Sequence, residues 1–73
     1  MRYRSAGRLG PDAVGRRVTV RRRLPEGGAS DTVGVLVALD ERHATVRNAA
    51  GADVVIAVEE IVAARVIAPP SPR

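Results

Sequence analysis

The chain contains no cysteine, phenylalanine, tryptophan or lysine, a single tyrosine (Tyr3) and a single histidine (His43). Without cysteine there is no disulfide to staple a small domain and no thiolate zinc site. One histidine excludes a His-rich metal centre as well. Without a cluster of aromatics the chain cannot line a groove for proline-rich peptides, cage a methylated lysine, or stack the bases of a single strand. Long hydrophobic runs are missing too. The apolar run Val54–Val58 falls far short of the ~20 residues that span a membrane. Met1 to Gly10 is polar and Arg-rich with no apolar h-region behind it, so no targeting segment is expected. A cytoplasmic protein without membrane contact is the expectation, and the lack of cysteine agrees with it.

What is present is aliphatic. The 73 residues hold 12 valines, 12 alanines, 4 leucines and 3 isoleucines, enough for one small domain with a thin core. A domain of this size buries only about 60% of its unfolded surface, which leaves little material for an enzyme pocket. All 12 basic residues are arginine. With Ala, Val, Gly and Pro abundant, this is what GC-rich coding produces, so the arginine excess is discounted as a functional signal. Its distribution is uneven: residues 1–25 carry eight arginines against Asp12, whereas residues 26–73 carry four against seven acids. The chain is dipolar.

Alternation defines the elements. After a loose tail over residues 1–9, Gly10-Pro11-Asp12-Ala13-Val14-Gly15 reads as a turn with Val14 as its inward anchor. Arg16–Leu24 alternates, with Val18, Val20 and Leu24 on one face and Arg17, Thr19, Arg21 and Arg23 on the other; Arg22 breaks the pattern. Pro25–Ser30 is a loop. Asp31–Asp40 is a second strand in which Val33, Val35, Val37 and Leu39 oppose Thr32, Gly34, Leu36 and Ala38, with Gly34 marking a bulge or bend. Asp40–His43 is a polar turn, Ala44–Arg47 a third strand, and Asn48–Gly51 a hairpin turn. Ala52–Val58 is a fourth strand with Val54, Ile56 and Val58 inward. A single 3₁₀ turn over Glu59-Glu60-Ile61 leads to a fifth strand, Val62–Ala68. Pro69–Arg73 reads as a linker or tail. A helix over Val54–Ala68 is the rival reading; helical spacing fails to segregate its apolar residues, and the Val and Ile content favours strand. Five short strands with a 3₁₀ turn before the last make an all-β, SH3-like small barrel over residues 10–68.

The run Val14-Gly15-Arg16-Arg17-Val18-Thr19-Val20-Arg21-Arg22-Arg23-Leu24-Pro25, followed by Asp31-Thr32-Val33-Gly34-Val35-Leu36-Val37-Ala38-Leu39-Asp40, resembles the N-terminal SH3-like domain of actinobacterial GNAT-type N-acetyltransferases. Thr45-Val46-Arg47 through Gly51, and Ile61-Val62-Ala63-Ala64-Arg65 running into Pro69-Pro70, are similar as well, so the resemblance covers about residues 9–70. It implies a barrel standing before a catalytic domain that binds acetyl-CoA. No catalytic residue and no cofactor carry over to this chain; acetyl-CoA enters only if such a domain follows. The implied partner is that catalytic domain or a second subunit, and a homo-oligomer fits the same picture. The chain is then an excised domain or a stand-alone relative.

The arginines Arg17, Arg21 and Arg23, flanked by Arg16 and Arg22, form the sharpest candidate site. At two-residue spacing they stand about 6.6 Å apart on one strand face. Such a row reads first as a solvated face that guards an edge strand, next as a docking surface for an acidic partner, and last as a set of phosphate contacts on nucleic acid. Arg22, on the inward face, is expected to snorkel or to pair with Asp31, Glu59 or Glu60. Leu36, Val55 and Ala57 are expected on the outer face as an apolar interface. No catalytic or metal-binding constellation emerges. His43 sits in a turn without partners, and Asp40-Glu41 and Glu59-Glu60 are adjacent pairs that point to opposite faces of a strand. Ser5, Ser30 and Ser71 have no neighbouring base. Gly27-Gly28 is too short a loop for a phosphate cradle. Pro69, Pro72 and Arg73 match a polyproline motif only formally.

Overall fold

The computed structural model describes residues 9–67. The tail expected over residues 1–9 and the linker expected over 69–73 lie outside it, apart from Leu9, which packs partly buried against the core. Five strands follow in order: β1 (Arg17–Arg23), β2 (Ala29–Leu39), β3 (His43–Arg47), β4 (Asp53–Ala57) and β5 (Ile61–Val66). One 3₁₀ turn, Pro11–Ala13, precedes them, and a second, Val58–Glu60, joins β4 to β5. The described residues contain no α-helix, and none of their helices is long and apolar enough to cross a membrane.

All five strands belong to one antiparallel sheet of order β4-β3-β2-β1-β5. On a flat sheet β4 would lie about 14 Å from β1, three strand spacings away. Ile56 of β4 nevertheless shares one core cluster with Val18 and Val20 of β1. The sheet is therefore rolled, and the all-β small barrel expected from the alternation is the fold found. The core is Ala13, Val18, Val20, Leu36, Ala44, Val46, Ile56 and Ala64, with Leu39, Val54 and Ile61 packed at its margin. Among the described residues it contains no aromatic ring, so each buried aliphatic carries a large share of the stability.

The elements start and stop for local reasons. Asp40 Oδ1 accepts the backbone N–H groups of Arg42 and His43, both at 2.7 Å, and so fixes the β2–β3 turn. Asn48 Oδ1 accepts those of Ala50 and Ala52, both at 3.0 Å, at the β3–β4 turn. Gly51 completes that turn with φ of 86°, a conformation that disfavours any side chain. Loop Pro25–Ser30 is shorter than the sequence suggests, because the β1–β2 ladder continues through Arg22↔Ser30 and Arg23↔Ala29.

Two inward assignments change. Val14 is not the anchor of the first turn: the 3₁₀ turn places Ala13 in the core at 3% exposure and leaves Val14 at 43%. Leu36, expected on an outer interface, is fully buried. The five apolar residues Val35–Leu39 fit either face by alternation, and the tertiary fold decides. Gly34 and Leu36 point inward, Val33 and Val35 outward. Gly34 is required where β2 meets β3: a Cβ built there would lie 2.2 Å from the Arg47 carbonyl oxygen. The register shift itself falls two residues later, between Leu36 and Ala38, with Val37 as the extra residue. Beyond this bulge the faces exchange, which lets Leu39 pack on the core as well.

Candidate interaction face

The outer surface of the sheet is assembled from directly opposed residues. One row runs Arg17 (β1), Val35 (β2), Arg47 (β3) and Asp53 (β4). The next runs Arg65 (β5), Thr19 (β1) and Val33 (β2). A third runs Ala63 (β5), Arg21 (β1) and Asp31 (β2), and Arg23 stands opposite Ala29 beyond it. Arg17, Arg21 and Arg23 therefore share one exposed face, as alternation predicts. Val33 and Val35 lie among them at 42% and 39% exposure.

The cations on this face differ in their commitments. Arg21 grips Asp31 through two contacts, Nε to Oδ1 at 2.9 Å and Nη2 to Oδ2 at 3.3 Å. Arg47 grips Asp53 in the same bidentate way, at 2.7 and 3.2 Å. Each pair stands in direct cross-strand register, which suits the planar guanidinium fork. The hydrogen bonds from these arginines hold the carboxyls of Asp31 and Asp53 below the usual carboxylate range. Two backbone N–H groups do the same for Asp40. Arg16, Arg17, Arg23 and Arg65 are exposed and form no ion pair among the described residues. Asp31 is thus taken by Arg21 and not by Arg22. Arg22 points to the inner side beside Ile61, half-buried, with its Nε hidden from solvent and without a hydrogen-bond partner.

A shallow open groove runs along the same face, lined by Thr19, Arg21, Asp31, Ala63, Ala64 and Arg65. Around the sheet, on edge strand β4, Val55 is 58% exposed and Ala57 half-buried opposite His43. Val55 and Ala57 face outward as expected; Leu36 does not join them. The sequence reading missed Val33, Val35, Arg47 and Arg65 as members of this face. Arg65 alternates with Ala63 and could have been placed outside, but the cross-strand registers that unite the four are set by turns and the β2 bulge. Among the described residues no three His, Asp or Glu side chains gather as a metal site.

The fold and this surface define a small β-barrel domain of the Sm/SH3-like type. Residues 12–65 match the family model described as the Rv0428c N-terminal Sm-like domain, and the chain belongs to that family. The family description does not mention acetyl transfer. No curated protein and no solved structure matches the chain.

Proposed function

We propose that this barrel is a non-catalytic accessory domain that docks onto a catalytic domain or second subunit, and that its setting is the front of a GNAT-type N-acetyltransferase in the cytoplasm. One observation carries the docking role: valines stand exposed on the outer face of the sheet while the core is only a handful of aliphatics. A thin-cored domain gains by keeping such side chains inside; leaving Val33, Val35 and Val55 outside suits contact with another surface. The acetyltransferase setting is supported by the resemblance of the β1 and β2 sequences. The matched domain's description as N-terminal in Rv0428c agrees with a module that precedes another part of its chain.

The test has two arms. Calorimetric titration of the 73-residue chain with acetyl-CoA is expected to give no binding, while the complete reading frame that encodes it binds acetyl-CoA and transfers the acetyl group to an amine. Acetyl-CoA binding by the barrel alone, or a complete gene product without acetyl transfer, overturns the reading.

A further inference from the structure

We propose that the face built by β1, β2 and β5 docks an acidic, amphipathic protein segment, with aliphatic side chains seated on Val33 and Val35 and carboxylates on Arg17 and Arg65. The proposal rests on the reading of the chain as an interaction module and names the chemistry of the partner.

Its basis is the order of residues across the sheet. Val33 and Val35 sit two apart on β2 and form a ridge about 6.6 Å long. Arg17 is the direct neighbour of Val35, and Arg65 lies one residue beyond the neighbour of Val33, in the row Arg65–Thr19–Val33. Both cations are on the β1/β5 side of the ridge, and both are free of ion pairs among the described residues. On the other side Arg47 is already neutralised by Asp53, and at the far end Arg21 by Asp31. The face therefore offers an apolar stripe with free positive charge along one flank only. A segment with an aliphatic edge and a carboxylate edge matches that order. The groove lined by Thr19, Arg21, Asp31, Ala63, Ala64 and Arg65 gives the acidic edge a recess beside Arg65, with the Asp31 carboxylate on its wall held by Arg21.

A nucleic acid fits less well. Its evenly spaced phosphates would run past Asp31 and Asp53, both on this face, and among the described residues no aromatic stands there to stack a base. It would also leave the two valines without an apolar partner.

The experiment is an amide chemical-shift titration of the isotope-labelled chain with three probes: a capped synthetic peptide of Glu-Glu-Val-Leu repeats, poly-glutamate of similar charge, and oligo-dT. Expected is a footprint from the Glu-Glu-Val-Leu peptide on Thr19, Val33, Val35 and Arg65, with poly-glutamate and oligo-dT weaker. Affinity should fall roughly fivefold or more in Arg17→Gln/Arg65→Gln and also in Val33→Thr/Val35→Thr, with Val14→Thr, an exposed valine outside the sheet, unchanged. The Val-to-Thr exchanges keep β-branched shape at exposed positions, so the folded spectrum is retained. Absence of a footprint on this face overturns the proposal. So does equal binding of oligo-dT that ignores the valine changes, which would make the face a polyanion surface. A footprint centred on Val55 overturns this face while leaving the docking role in place, and the acetyl-CoA experiment judges the enzymatic setting separately.

Discussion

Arg47 and Asp53 close the β3–β4 hairpin from the outside: directly opposed in register, they hold each other by two hydrogen bonds of 2.7 and 3.2 Å. The clamp removes one cation from the row that also holds Arg17 and Val35. Arg21 and Asp31 do the same between β1 and β2, two strands over. Two acids thereby turn an arginine-rich surface into one with free charge confined to one flank.

Removing the two acids should undo that. Asp31→Asn with Asp53→Asn releases Arg21 and Arg47, and the face becomes a broad cationic patch. Oligo-dT affinity at low salt, followed by fluorescence anisotropy, is expected to rise roughly tenfold over the wild-type chain and to vanish as salt is raised. Unchanged affinity would mean the clamps do not govern the charge of this face.

Together with Asp40, these carboxylates should give the fold a modest sensitivity to acid. Asp31, Asp40 and Asp53 have lowered pKa values in the folded chain, the first and last through arginine hydrogen bonds and Asp40 through backbone N–H groups. A depressed carboxyl contributes stability that is fully present above its unfolded value, about 3.9, and is lost as pH falls through the folded value. Urea midpoints should stay level between pH 7 and 5 and drop below about pH 4. Replacing all three by Asn should flatten the drop; an equally steep decline in that variant would place the acid sensitivity elsewhere.

Leu36 and Val55 should respond in opposite ways. Leu36 is among the largest fully buried side chains. Leu36→Ala is expected to lose about 2–5 kcal/mol, which in a domain this small brings unfolding close to room temperature. Val55→Asp on the exposed edge strand should leave the thermal midpoint almost unchanged, and light scattering should show any Val55-dependent association disappear. A stable Leu36→Ala barrel would contradict the packing described.

Gly34 gives a backbone test. A methyl group there meets the Arg47 carbonyl oxygen at 2.2 Å and its carbon at 2.8 Å, atoms that cannot move without parting β2 from β3. Gly34→Ala is expected to cost about 3 kcal/mol, read as a fall of roughly 10 °C or more in thermal midpoint. Gly10→Ala, by contrast, meets only the Asp12 side chain and should be mild.

Much of this was legible in the sequence. Alternation, and apolar runs between turn formers, located the strands, and the polar turns at Asp40 and Asn48 located two of the reversals. The inner face of β1 could be read because arginine marks the outside. The faces of β2 could not, because Val35–Leu39 is apolar throughout and the bulge at Val37 changes the phase partway along. That is why Leu36 was expected outside and Val33 and Val35 were not singled out. The arginine row was visible on β1, whereas the pairing of Arg21 with Asp31 depends on a register that turns and bulges set.

What touches the outer face decides whether this barrel is a docking module. Hydrogen-exchange footprinting of the chain with the catalytic domain proposed for its reading frame is expected to slow exchange at the edge strand β5 and on the outer face around Val33, Val35 and Arg65, while the kcat of that domain is unaltered by the barrel. Uniform exchange with and without the catalytic domain, or a kcat that depends on a barrel side chain, would contradict it.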